Sequence, residues 1–154
     1  MADITIHKVE ISDLLTVAKK MRPADVDEVR AATGATPLNG LTMSWTNSPR
    51  AATARIEDEP IAVYGIGRWQ NEDENVGCPW LLGTEGVIEH AAAFTRHTRP
   101  EFARMTQGYN RLVNFVDARN TTSVRWLKWR GFSFDEPAPY GVESRPFHRF
   151  YMEV

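Results

Sequence analysis

The charged residues are unevenly spread. Between Arg96 and Arg130 stand eight basic side chains, Arg96, Arg99, Arg104, Arg111, Arg119, Arg125, Lys128 and Arg130, against only Glu101 and Asp117. Arginine at this density suits phosphate, because a planar guanidinium offers paired N–H donors to its oxygens. The same stretch also fits helices with solvated basic faces. Acidic groups gather earlier in the chain. Asp25, Asp27 and Glu28 could draw in an amine, though the first turns of a helix favour acids for the helix dipole alone. Glu85, just past an apolar strand, is the candidate base for deprotonating an amine.

Other chemistries are excluded by what is missing. There is no G-x-S-x-G elbow, no Walker loop, no H-E-x-x-H and no C-x-x-C. A single cysteine, Cys78, excludes an intramolecular disulfide and a Cys-rich zinc site, and no metal is expected. His7, His90 and His97 are scattered, and His148 alternates with Phe150, Met152 and Val154 as a packed strand residue. Gly65-Ile66-Gly67 lacks the third glycine and following helix of a dinucleotide fingerprint and reads as a strand bulge. Arg125-Trp126-Lys128-Trp129-Arg130 could bind nucleic acid. Val124, Trp126 and Leu127 share one helical arc, however, which makes them core, so nucleic acid is not an expected partner.

The elements that must hold these groups follow from periodicity. Residues 4–9 alternate as a strand, and Leu14, Val17, Ala18 and Met21 mark one helical face. A second helix opens at Pro23 and closes at Gly34. Residues 35–50 read as loop. Strands are expected over 51–57, 61–69 and 80–82, with turns at 58–60 and 70–77. Residues 88–109 tend to helix, with Pro100 in the first turn of a helix running from about 98 to 109. Then come a strand at 112–116, a helix at 121–130 capped by Asn120 and ended by Gly131, and strands at 132–134 and 147–154. The resulting order is β-α-α-β-β-β-α-β-α-β-β, a mixed, mostly antiparallel α/β sheet. Its one parallel crossover joins the strands at 80–84 and 112–116.

The 154 residues, 42% of them apolar, make one core, so a single domain over 1–154 is expected. No apolar run is long enough to span a bilayer, and Met1-Ala2-Asp3-Ile4-Thr5 is no leader. A soluble cytoplasmic protein without membrane partners is expected.

The segment from Asn114 to Phe132 resembles the motif after the fifth strand of the Gcn5-related N-acetyltransferases, the GNAT superfamily. That motif is a strand followed by N-x-x-A-x-x-x-Y-x-x-x-G-F. Asn120, Ser123, Leu127, Gly131 and Phe132 stand at the matching places. The element order agrees over nearly the whole chain. Cys78-Pro79-Trp80-Leu81-Leu82-Gly83-Thr84, with Tyr109, Leu112, Asn114 and Val116 and then Asn120-Thr121-x-Ser123-x-x-Trp126-Leu127, is more narrowly similar to GNAT-like proteins of short-tailed phages. Some of these are acetyltransferases and others internal virion proteins.

The resemblance implies an acyl-CoA-dependent N-acyltransferase moving acetyl from acetyl-CoA to a small-molecule or protein amine. Leu82, Gly83, Thr84 and Asn120 would hold the pantetheine, and Arg96 or Arg99 would meet the phosphates. Two departures point to a degenerate, slow enzyme. The superfamily's cofactor loop, Q/R-x-x-G-x-G/A, has no counterpart in residues 85–100, where only Gly86 remains. Leu127 stands where the family often places a tyrosine acid, and leucine donates no proton. The alternative is a catalytically silent relative serving in a phage virion or binding other phage or host proteins, in the virion or the host cytoplasm.

Overall fold

The computed structural model describes residues 3–69 and 74–154, so part of the turn expected over 70–77 lies outside the described residues. The chain opens with β1 (Ile4–His7), α1 (Ile11–Lys19), α2 (Pro23–Thr33) and α3 (Pro37–Thr46). It continues through β2 (Arg50–Ile56), β3 (Glu59–Arg68), β4 (Val76–Gly83), α4 (Glu85–Glu89), α5 (Ala91–Met105), β5 (Arg111–Asp117) and α6 (Thr121–Trp129). It ends with β6 (Ser133–Phe134), β7 (Ala138–Tyr140) and β8 (Arg145–Glu153). The strands form one sheet in the order β1-β2-β3-β4-β5-β8-β6, with β7 also on β8. Every pairing is antiparallel except β4 with β5. The mixed, mostly antiparallel α/β class expected from sequence is what forms.

Each face of the sheet buries its own apolar set. Leu112 and Val116 of β5 pack with Phe94 of α5 and Leu127 of α6. Leu82 of β4 and Val63 of β3 pack on the other face with Leu14, Val17 and Leu41 of α1 and α3. Alternation along β5 therefore turns Phe115 and Asp117 toward α2.

Three local expectations are corrected. Residues 35–50 contain a helix, α3. Thr36 caps it, accepting from the Asn39 N–H at 3.2 Å, and Pro37 occupies its first turn. The Pro, Asn and Gly that suggested loop are a helix start with a close packing site, since a Cβ on Gly40 would strike the Val29 side chain. Pro100 does not open a helix but sits inside α5. It has no N–H to give the Arg96 carbonyl, and Pro100 and Arg96 are both exposed, so water can serve that carbonyl. At 65–67 no bulge forms. The register shift lies instead at Ala54/Arg55, and Gly65 is needed because the Arg50 backbone passes where its Cβ would be.

The parallel pairing of β4 and β5 falls earlier than expected. It joins Val76 to Arg111 and Gly77 to Leu112, not residues 80–84 to 112–116, and beyond that point the strands diverge. Pro79 has no N–H for a continuing ladder. Its carbonyl instead accepts from Asn114 Nδ2 at 2.7 Å.

The β7–β8 turn is tied to the end of α2. Val142 and Glu143 donate their N–H groups to the Ala32 and Ala31 carbonyls at 3.2 Å each. Gly141 permits the approach, because a Cβ there would lie 2.5 Å from the Ala31 oxygen and its φ is +78°.

Candidate functional site

The divergence of β4 and β5 opens a cleft of about 280 Å³ that passes between them and is lined from both faces of the sheet. In a strand, alternate residues direct their backbone groups to the same side. Pro79 uses its carbonyl toward β5, and Gly83 gives its N–H to Asp25 Oδ2 at 3.1 Å. Leu81 lies between them, so its N–H and C=O point into the gap, where no β5 partner meets them.

On the α2 side the wall carries a carboxyl. Glu28 Oε1 accepts from the Asp117 backbone N–H at 2.8 Å and from Asn120 Nδ2 at 3.4 Å. Oε2 has no partner among the described residues, and the half-buried residue lines the cleft. Burial first, and then the neighbouring Asp25 charge, push the Glu28 carboxyl up to about 8. Asp25 is itself raised by burial, although it is paired with the buried Arg22 at 3.0 Å. Val29 and Met43 continue this wall, with the aromatic rings of Trp80, Phe115 and Tyr140. Phe115 and Tyr140 stack with centroids 4.0 Å apart, and Trp69 stacks on Phe115 at 6.4 Å.

On the α5/α6 side the lining includes Tyr64, Phe94, Trp126, Leu127 and Arg130. The buried Tyr64 hydroxyl has no hydrogen-bond partner among the described residues. Arg130, half-buried, lies over the Phe102 and Trp126 rings at 5.2 and 5.5 Å and forms no ion pair among the described residues. Burial, with Arg99 nearby, lowers its pKa. Arg99 lies over the exposed Trp129 ring at 5.9 Å. This rim is therefore two guanidiniums without acidic partners beside an accessible indole.

The residues nominated from sequence are dispersed around this cleft. Leu82 lines it. The Gly83 carbonyl accepts from the Arg22 N–H, and Thr84 bonds Ile61 through its N–H and hydroxyl, so both are engaged inside the fold. Glu85 is exposed at the first position of α4 and does not line the cleft. Arg96 is exposed on α5, and Arg99 stands at the rim. Asn120 opens α6 without capping it. Its side chain turns to Asp25 and Glu28 instead, leaving its own Oδ1 unpaired.

Sequence reasoning gave Tyr140 no role, counted Arg130 only among eight basic residues, quoted Leu81 only within a strand motif, and saw Glu28 as one of three acids that could draw in an amine. A sharper signal existed for Glu28. Asp25 and Glu28 are spaced i, i+3, so they share a helix face, and Asp25 on that face is buried.

No protein-family model matches the chain, and comparison with curated proteins gives no match. Solved structures do match. A Salmonella typhimurium protein described as an acetyltransferase and solved with acetyl-CoA as its cofactor aligns with a TM-score of 0.72 and 13% identity, covering 97% of this chain and 93% of its own. Spermidine N-acetyltransferase from Vibrio cholerae, in complex with CoA and spermine, aligns with a TM-score of 0.66 and 12% identity over 97% and 95%. A GNAT-family acetyltransferase from Streptococcus pneumoniae aligns with a TM-score of 0.62 and 12% identity over 99% and 100%. This is the GNAT fold. At these identities the likeness is one of fold, and none of the three relatives named is a phage protein.

Two sequence departures can now be located on this GNAT fold. Leu127 is buried in the cleft wall, so no phenol stands at that position. Gly86 is packed, a Cβ there falling 2.8 Å from Ile61 Cγ2, so its smallness serves the contact of α4 with β3. Among the described residues no cluster of His, Cys, Asp or Glu could hold a metal, and no helix is long and apolar enough to cross a membrane.

Proposed function

We propose that the chain is an acyl-CoA-dependent N-acyltransferase. The donor approaches from the α5/α6 side, the amine from the α2 side, and the two meet where β4 and β5 part. The observation that carries this is the gap itself. It is a through-sheet cleft in which the Leu81 backbone meets no partner on β5, with a carboxyl on one side and, on the other, guanidiniums that form no ion pair among the described residues. Relatives of the same fold solved with acetyl-CoA or CoA support the choice of donor.

The residues present fit acetyl-CoA. The Leu81 backbone supplies polar contacts inside an otherwise apolar slot lined by Tyr64, Phe94 and Leu127, which suits a pantetheine arm. Arg99 and Arg130, with Trp129 beside them, suit phosphates and a planar base. They stand in for the absent glycine loop by side-chain charge, and Arg130 takes the place that Arg96 holds in the sequence reading.

Bound acetyl-CoA supplies an electrophilic thioester carbonyl. The amine nitrogen bonds to its carbon as the C–S bond breaks, giving an amide and a thiolate. Glu28 rather than Glu85 is positioned to take the amine's proton, since Glu28 lines the cleft, its Oε2 without a partner among the described residues, while Glu85 faces solvent. A carboxylate titrating near the working pH is a stronger base than an ordinary one. Asn120 and the Asp117 N–H hold Glu28 in place. No phenol protonates the leaving sulfur at Leu127. A thiol with an ordinary pKa of about 8.5 is a good enough leaving group to depart without one.

Acetyl-CoA titration with thermal unfolding tests the reading. Saturation at 100 times Kd stabilises the chain by about 2.7 kcal/mol, and amines then release free thiol. A chain that neither binds acetyl-CoA nor releases thiol is the silent relative instead.

A further inference from the structure

The α2-side half of the cleft has a composition that selects among amines. Among its described lining residues the one acid is Glu28 and there is no basic side chain, because Arg130 belongs to the opposite half. Around Glu28 the wall is mostly apolar and aromatic, with Val29, Met43, Trp80, Phe115 and Tyr140, and Thr33 and Ser44 add two hydroxyls. The rings are ordered, with Phe115 stacked between Trp69 and Tyr140. Tyr140 is held by contact with Phe147 at 5.1 Å, and Trp80 by a hydrogen bond from its Nε1 to Ser48 Oγ at 2.7 Å. A fixed aromatic wall gains most from a ligand with its own flat apolar body, at little cost in ordering protein side chains.

Building on the acyltransferase reading, we propose that the acceptor is a monoamine carried on a small aromatic body, an arylalkylamine. Its ammonium group meets Glu28, and its ring lies along the edge of the Phe115–Tyr140 stack and beside Trp80. One carboxyl satisfies one ammonium. A polyamine would bring further cations against described lining residues that offer no second acid, each losing hydration without a partner among them. An amino acid would bring a carboxylate that meets no cation there. In the reaction the ammonium gives one proton to Glu28, and the freed nitrogen attacks the thioester. The second nitrogen proton, released as the amide forms, passes to solvent or to the departing thiolate.

The test measures thiol release from acetyl-CoA with 2-phenylethylamine, ethylamine, spermidine and a lysine-containing peptide. Binding of 2-phenylethylamine without acetyl-CoA is followed in parallel by tryptophan fluorescence, to which Trp80 and Trp69 contribute. The expected result is a kcat/KM for 2-phenylethylamine at least tenfold above each of the others. Tyr140→Ala should reduce that preference about tenfold, and Tyr140→Leu, which retains bulk, should reduce it even if the alanine variant folds poorly. Equal or better turnover of spermidine or the peptide overturns the acceptor class and leaves the transferase reading intact. Without turnover, saturable 2-phenylethylamine binding that Glu28→Gln weakens upholds the site and overturns the transferase reading. Absence of both binding and turnover overturns both.

Discussion

Asn114 reaches across the opening between two strands and donates from Nδ2 to the Pro79 carbonyl at 2.7 Å, two residues past the last parallel pair. This contact spans the mouth of the gap and takes up the carbonyl that the broken ladder would leave unpaired. Asn114→Ala removes it and strands the acceptor. The expected loss is about 1–3 kcal/mol, read as a lower urea midpoint. An unchanged midpoint would mean that water replaces the amide without cost.

Glu28 links activity to pH. Its folded pKa of about 8 against an unfolded value of 4.5 means that the folded chain holds a proton on Glu28 that the unfolded chain has lost between those limits. Stability from this group is therefore full below about pH 4.5 and declines as pH rises through 8. The charges facing it are Asp25, with its partner Arg22, and Asp117, with its partner Arg119. Glu28→Gln keeps an acceptor for the Asp117 N–H and removes the titration. Its melting temperature relative to wild type should rise from pH 5 to about pH 8 and level off above that.

The same variant reports on catalysis. Wild-type kcat/KM should climb with pH and level off above about 8, apart from the ionisation of the amine itself. Loss of a general base typically costs 10²–10⁴-fold. Glu28→Gln should fall by that range and retain only the amine's own pH dependence. Glu85→Gln should leave the rate within twofold, because Glu85 does not line the cleft.

At the rim, Arg99→Ala with Arg130→Ala should weaken acetyl-CoA binding by at least tenfold and flatten its dependence on salt, since charged contacts are screened. Arg96→Ala alone should move affinity less. Isothermal titration at 50 and 300 mM salt distinguishes these cases.

How far the sequence carried this reading depended on whether a signal was local. Periodicity located most elements, because the alternation of 4–9 and the Asn120-to-Phe132 spacing are written in neighbouring residues. Helix α3 was missed because Pro37, Asn39 and Gly40 are loop formers by type; Thr36 and Pro37 are a helix start, and Gly40 packs against Val29. The site was less legible. Leu82, Gly83 and Thr84 stand at the expected end of β4, yet the backbone of Gly83 is consumed by Asp25 and Arg22, which lie some sixty residues earlier in the chain. Glu28 acquires its character from Asp25, Asp117 and Asn120, a grouping that only the closed fold assembles.

Gly141→Ala should destabilise the chain by about 2–4 kcal/mol. The new methyl meets the α2 backbone, and a non-glycine residue is strained at this φ. Chemical denaturation reads the loss.

That docked turn also makes α2 and the β7–β8 hairpin one mechanical piece. Glu28 rides on the first and Tyr140 on the second, and the bonds from Val142 and Glu143 to Ala32 and Ala31 clamp them together. The acidic and aromatic parts of the wall therefore keep their spacing whenever this side of the cleft breathes. Hydrogen exchange at the Val142 and Glu143 amides becomes a direct gauge of that breathing. An amine that bridges Glu28 and Tyr140 should slow exchange at both positions together, as a ruler held at two marks cannot stretch between them.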